Sequence, residues 1–329
     1  MKTLADIGER NAIQQISHII TQGNSAVGIG DDCAAIQLGD EYLLITTDMI
    51  TQKTHIPKEM TPYQIGWFIV AINLSDLAAK GGKPLGVVLS LGLPPSTKEQ
   101  FLKELMRGAD ACATRFHTSI IGGDTKENPA LTLCGTAVGI IKKNEFMPRK
   151  GMRPGDIVAV TGMLGKAGAG YLALQQQNRN KNVLKGLFEP VPRIREGRAL
   201  AQEKIVSSCM DISDGLSSSL YQLQQLNPVG FEIQQEQLPV SSELTKLRNL
   251  EQKEIDKYVL HFGGDYELLC TLSPKNFERA VQAMKKTGTP ITAIGRVTKE
   301  KKIYLVSPQG KRKILPDKGY EHFSSHTFS

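Results

Sequence analysis

Seven aspartates stand in short motifs of small residues: Asp31 and Asp32 in GIGDDCA, Asp48 in TTDM, Asp76 in NLSDLAAKGG, Asp124 in GGDT, and Asp211 and Asp214 in DISDGL. Taken singly, each is the ordinary residue of a turn or helix cap. No turn, however, requires the acid to be Asp so consistently. Short oxygen ligands of this kind suit Mg²⁺, which takes carboxylates, hydroxyls and water in an octahedral shell. Thr46 and Thr47 directly precede Asp48 and add hydroxyl or carbonyl oxygens. So many carboxylates imply several ions, or ions shared with a polyphosphate, where phosphoryl transfer needs that neutralisation.

Asp76 is the most informative of the set. Thr61-Pro62 reads as a helix cap followed by a first-turn proline, and Gly81-Gly82 as a stop. Asp76 then lies inside an apolar helix, with Asn73 three residues earlier on the same face. A carboxylate in such surroundings must be paired, protonated or bound to a metal. A buried salt bridge and a metal site both satisfy that requirement.

The elements that position these residues fall into two halves. Runs at 43–50, 86–93 and 131–141 read as strands, with helices from Pro62 to Lys80 and from about Thr97 to Arg115 between them. The polar stretch KKNEFMPRKGMRPGD connects to a second half. That half opens with the strand DIVAVTG (156–162) and the turn GMLGKAGAG (162–170), then helices near 170–177 and 193–207. After DISDGL come a helix into Gln225, a strand near 229–234, the motif FGGDYELLCTL, a helix near 275–287, strands at 291–297 and 302–306, and KGYEHF. Strands and helices alternate in both halves without a continuous βαβ rhythm, which predicts two α+β domains, at residues 1–145 and 146–329.

Composition excludes several classes. With 40% apolar and 22% charged residues the 329-residue chain is globular, not disordered. No apolar run is long enough to span a bilayer, and MKTLADIGERNAI has no signal-peptide core. Five cysteines without a CxxC pair argue against a disulfide framework or zinc site and for a reducing, cytoplasmic setting. The net charge of +7 gathers in lysines near the end without interleaved aromatics, a solvated surface in preference to a nucleic-acid patch.

Other motifs are individually weak. GMLGKAGAG follows a strand and precedes a helix but matches neither G-x-x-x-x-G-K-[ST] nor G-x-G-x-x-G, so a tight turn with close helix packing competes with a phosphate loop. His55 could meet an anionic substrate or simply fill space. Arg149 could reach phosphate or sit on the surface, and Tyr320 could stack on a ring or anchor the terminus.

GIGDDCA, TTDM, NLSDLAAKGGKP, GGDT, DISDGL, GGDYEL and KGYEHF, in this order from Gly28 to Phe323, resemble the thiamine-monophosphate kinase family. The resemblance implies a two-domain α/β architecture like that of aminoimidazole ribonucleotide synthetase, each domain a mixed sheet with packed helices. It implies ATP-dependent phosphorylation of thiamine monophosphate by direct in-line transfer, several Mg²⁺ ions, and a homodimer paired through the first domain. Metal ligands are then expected at Asp32, Thr46, Thr47, Asp48, Asp76, Asp124, Asp211 and Asp214. Nucleotide contacts are expected at Gly123, Asp124, Arg149 and Ser213, and substrate contacts at His55 and Tyr320. No acid/base catalyst is implied, because the acceptor phosphate is already ionised. The family's GGEDYEL departs here: Gly264 takes the place of the glutamate, and Asp265 matches the following Asp. Rival readings are an aminoimidazole ribonucleotide synthetase-like ATP-dependent enzyme and a non-catalytic nucleotide- or metal-binding protein. The ending SSHTFS lacks the terminal cysteine of the related hydrogenase-maturation enzyme.

Overall fold

A computed structural model describes residues 2–21, 23, 25–178, 180–247 and 250–323; the ending SSHTFS lies outside them. The first domain contains α1 (Leu4–Ile19), β1 (Ala34–Leu38), β2 (Glu41–Thr51), α2 (Pro62–Ala79), β3 (Lys83–Leu93), α3 (Glu99–Arg115), β4 (Ile120–Glu127) and β5 (Thr132–Lys142). Its five-stranded sheet runs β1-β2-β5-β3-β4. Only β3 and β4 are parallel, and α3 supplies the crossover that a parallel pair requires.

β2 and β5 pair over their full length, from Glu41 opposite Lys142 to Thr51 opposite Thr132. Burial alternates along β5, as it must when one face of a sheet is covered by helices. α2 starts as its sequence predicts: Thr61 accepts from the Gln64 N–H, and Pro62 opens the first turn. Thirteen of its 18 residues are buried, so it is a central helix and not a surface one. α3 crosses α2 at backbone contact, since a Cβ on Gly66 would stand 1.8 Å from the Leu105 carbonyl oxygen and one on Gly108 1.8 Å from that of Tyr63.

The second domain contains β6 (Ile157–Thr161), α4 (Lys166–Gln175), α5 (Lys181–Phe188), α6 (Ile194–Glu203), β7 (Val206–Asp211), α7 (Leu216–Leu226), β8 (Gly230–Gln234), α8 (Ser242–Thr245), α9 (Gln252–Leu260), β9 (Leu268–Leu272), α10 (Phe277–Lys285), β10 (Ile291–Thr298), β11 (Ile303–Val306) and β12 (Arg312–Ile314). These strands form a seven-stranded mixed sheet, β12-β11-β8-β10-β6-β9-β7. The two-domain α/β architecture, each domain a mixed sheet with packed helices, is the expected one.

Local readings differ at several places, the end of α6 and the start of the chain among them. The helix expected over 193–207 ends at Glu203, where Lys204 turns left-handed at φ +55°, and the chain continues as β7, which carries Asp211 at its end. The opening residues form α1, kinked at Gly8 (φ +75°). No helix among the described residues is long and apolar enough to cross a membrane.

Candidate active site

β2 delivers Thr46 and Asp48 to the face covered by α2, while Thr47, one residue out of phase, presents its hydroxyl to the opposite face. There Thr47 donates to the Gly135 carbonyl at 2.9 Å. Thr46 donates to Asp76 Oδ2 at 2.5 Å. Asn73 accepts from the Asp48 N–H at 3.2 Å and donates to the Ile69 carbonyl at 2.8 Å. One turn of α2 thus binds the middle of β2 and aims a half-buried carboxylate at the space beyond it.

The second domain closes that space. Ser75 donates to Asp211 Oδ2 at 2.5 Å. Asp32 enters from the loop before β1, so that oxygens of Asp32, Asp76 and Asp211 lie within 4.8 Å of one another. Burial pushes these acids upward, and their neighbours push further: Asp48 to about 6, Asp211 to about 7, and Asp76 well above the usual carboxylate range. Asp214, just beyond β7, rises to about 6 through burial and the nearby Glu9. Asp32 is the exception. Burial alone would raise it, but Arg149 and Lys80 hold it below its ordinary value.

Arg149 donates from Nε to Asp32 Oδ1 at 3.0 Å, with Nη2 on the same oxygen, and its backbone N–H donates to Asp31 Oδ2 at 3.0 Å. The fully buried Lys80 ammonium lies 2.7 Å from Asp32 Oδ2. That oxygen has no hydrogen-bond partner of good geometry among the described residues. An all-oxygen donor set, three converging carboxylates and mutually repelling acids together fit a hard divalent cation such as Mg²⁺.

Two loops complete the wall. The DISDGL loop is laced to FGGDYEL: Gly264 N–H donates to the Ser213 carbonyl at 2.7 Å, and Tyr266 N–H to that of Ile212 at 3.0 Å. Asp265 is turned inward and accepts from the backbone N–H groups of Gly165 and Ala167 at 2.6 and 3.0 Å, capping α4. GMLGKAGAG is therefore a tight turn into a helix whose first N–H groups are already taken. Gly165 holds φ +83° at that cap, a conformation that glycine adopts without strain. Tyr266 is a left-handed non-glycine residue at φ +50°. Its ring stands edge-on to Phe68, and burial and the surrounding Asp48, Asp211 and Asp214 push its phenol well up.

The two residues expected on the substrate side are also neighbours. Tyr320 and His322 meet edge to face, with ring centroids 4.9 Å apart, and His322 lies 5.2 Å from His55. Tyr320 N–H donates to the Asp214 carbonyl at 3.1 Å, fixing the C-terminal segment against the acidic group. Burial, then His322, lowers His55 to about 4, so its ring is neutral at pH 7.

Of the predicted residues, the structure brings together Asp32, Thr46, Asp48, Asp76, Arg149, Asp211, Ser213 and Asp214, with His55 and Tyr320 forming the aromatic group beside them. Gly123 and Asp124 lie apart on the edge strand β4, where Asp124 is exposed and pairs with Lys126 at 3.4 Å. Sequence reasoning passed over Ser75, Lys80, Tyr266 and His322. A lysine at a helix end ordinarily reads as a solvated partner of the helix dipole, and a serine inside an apolar helix carries no signal of its own.

The chain matches the family model for the AIR synthase related protein N-terminal domain over residues 30–141 and that for the C-terminal domain over 153–307. It is 39% identical over 292 residues to a thiamine-monophosphate kinase of Methanospirillum hungatei, covering 89% of this chain and 92% of that protein. It is 36% identical over 308 residues to the thiamine-monophosphate kinase of Buchnera aphidicola subsp. Schizaphis graminum, covering 91% and 93%. Among solved structures it is similar to AaThiL complexed with AMPPCP and TMP, with a TM-score of 0.85 and 29% identity over 98% of this chain and 99% of that one.

Proposed function

Because the chain belongs to the AIR synthase-related family, and within it to the thiamine-monophosphate kinases, we propose that it transfers the γ-phosphoryl group of ATP directly to thiamine monophosphate, giving thiamine diphosphate and ADP. The observation that carries this reading is the convergence of Asp32, Asp76 and Asp211 from both domains onto one point. The solved relative holding AMPPCP, an ATP analogue, together with TMP supports both substrates.

The residues divide by task. Asp32, Asp76 and Asp211, with Thr46, Asp48 and Asp214 around them, hold Mg²⁺. When bound, the metal offsets the charge of two phosphate groups that would otherwise repel. Thr47 enters this set through its backbone carbonyl, its hydroxyl being bonded to Gly135 on the opposite face, and Asp124 on the edge strand holds a further ion. Arg149, already at the mouth of the acidic group, neutralises nucleotide phosphate, with Ser213 and Gly123 offering contacts along it. His55 and Tyr320 border the thiamine monophosphate. The acceptor oxygen is ionised at neutral pH, so these groups position the substrates and remove no proton.

The domain division at 145/146 is part of this reading, supported by the gap between Lys142, the last residue of the first sheet, and Ile157, the first of the second. So is a homodimer. The uncovered face of the first sheet exposes Ile36, Leu38, Met49, Leu85 and Ile121, an apolar set suited to a second copy. Five unpaired cysteines accord with a cytoplasmic setting.

The test is product analysis with ATP and Mg²⁺, with and without thiamine monophosphate. Thiamine diphosphate formation that stops on adding EDTA is the expected result. Turnover only with formylglycinamidine ribonucleotide would move the chain to the synthetase reaction, and no turnover with either would leave a binding protein.

A further inference from the structure

Lys80 is among the largest fully buried side chains of the described residues. It follows α2 at the C-cap, where a lysine normally runs its stem along the surface and leaves its ammonium in water. Here the side chain turns inward and its exposure is 0%. A buried ammonium persists only where fixed oxygens replace its water.

Three such oxygens are present. Nζ lies 2.5 Å from Asp31 Oδ1, 2.7 Å from Asp32 Oδ2 and 2.8 Å from the Cys209 carbonyl oxygen. Two carboxylates and a backbone carbonyl around one point make the ligand set of a hard cation. Asp32 is also one of the three converging acids, so the ammonium and the candidate metal position share a ligand.

We propose that Lys80 is a resident cation of the carboxylate centre. Its ammonium holds a position among Asp31, Asp32 and the Cys209 carbonyl that a divalent ion would otherwise take. This chain then binds one fewer ion than its carboxylates could hold, and Asp32 bridges the tethered ammonium to the ion held with Asp76 and Asp211. Metal ions leave when a site empties, whereas Lys80 is covalently fixed, so part of the acidic charge stays balanced between turnovers. The inference rests on the reading that Asp32, Asp76 and Asp211 hold divalent cations.

The experiment counts Mn²⁺ bound per full-length chain, without nucleotide, by electron paramagnetic resonance of the free ion. It compares the wild type with Lys80→Met and with Lys80→Gln, both of which remove the ammonium and keep Asp31 and Asp32. Both variants are expected to bind one more Mn²⁺ per chain than the wild type. The rise in melting temperature on saturation with Mn²⁺ is expected to be larger in both variants than in the wild type. An unchanged count in the folded variants overturns the proposal while leaving the metal centre standing. If Lys80→Met fails to fold, Lys80→Gln, which keeps a polar head among Asp31, Asp32 and the Cys209 carbonyl, decides on the same criterion. A wild type that binds no Mn²⁺ refutes the metal reading itself, and the proposal with it.

Discussion

Ser75 on α2 and Asp211 at the end of β7 are 136 positions apart in the chain and share a 2.5 Å hydrogen bond, so the central helix of the first domain fixes a carboxylate of the second. Both residues are buried. Ser75→Ala leaves Asp211 with one fewer donor in a dry site, at a cost of about 1–3 kcal/mol. The expected consequence is a melting temperature lower by about 2–6 °C, together with weaker Mg²⁺ activation. Calorimetry and a Mg²⁺ titration check both, and an unaltered melting temperature would show that the bond fastens nothing.

Asp76→Asn separates a metal role from a structural one. Burial already pushes this carboxyl well up, and it accepts a hydrogen bond from the Thr46 hydroxyl. The isosteric amide keeps that contact and removes a charge from a crowded acidic group. The metal-free variant should therefore melt at or above the wild-type temperature, yet lose activity by about 100-fold or more if the carboxylate holds a metal. Near-normal turnover would remove Asp76 from the proposed ligand set.

The same electrostatics set a pH dependence for the metal-free protein. Burial first, then like charges, raises Asp48 and Asp214 to about 6 and Asp211 to about 7, against 3.8 for an ordinary Asp side chain. Between those values the folded chain holds protons that the unfolded chain has released. Stability therefore falls as pH rises through that window. Asp32 runs the opposite way, because Arg149 and Lys80 outweigh its burial. So do His55 and His261, which burial lowers to about 4. They are outnumbered by Asp48, Asp76, Asp211, Asp214 and Asp265, all raised by burial. In EDTA the melting temperature should drop from about pH 5 to about pH 7.5, and Mg²⁺ should raise it most at the upper end. A melting temperature that rises across this range would contradict the assignment.

Much of this site was legible because the acids that matter sit next to residues with strong local signals. Thr61-Pro62 and Gly81-Gly82 bracket α2, and the apolar run between them makes Asp76 conspicuous. Asp211 was legible as an acid but not as the end of a strand, since β7 follows a helix after only two residues. Lys80 and Ser75 were not legible as site residues. Their roles come from contacts with Asp31, Asp32 and Asp211, which no local periodicity reveals. β4 was missed because its paired glycines interrupt the alternation expected of a strand, and its exposed edge carries no apolar pattern. Asp265, which matches the Asp of the family's motif, is occupied by the N-terminus of α4.

Tyr320 and His322 give the last prediction. Both come from the C-terminal segment and close on His55 from the first domain, so their rings form an aromatic group spanning the two domains. If this group borders thiamine monophosphate, Tyr320→Ala removes ring contact with that substrate and little that the nucleotide touches. A lost aromatic contact is worth about 0.5–1.5 kcal/mol beyond its area, which predicts a KM for thiamine monophosphate raised roughly 3- to 10-fold and a KM for ATP nearly unchanged. Tyr320→Phe, which keeps the ring and loses the hydroxyl facing His322 Nδ1 at 3.3 Å, should restore most of the affinity. Steady-state kinetics on the two variants decide the point. An equal rise in both KM values would instead mean that Tyr320 serves by anchoring the segment whose backbone holds the Asp214 carbonyl.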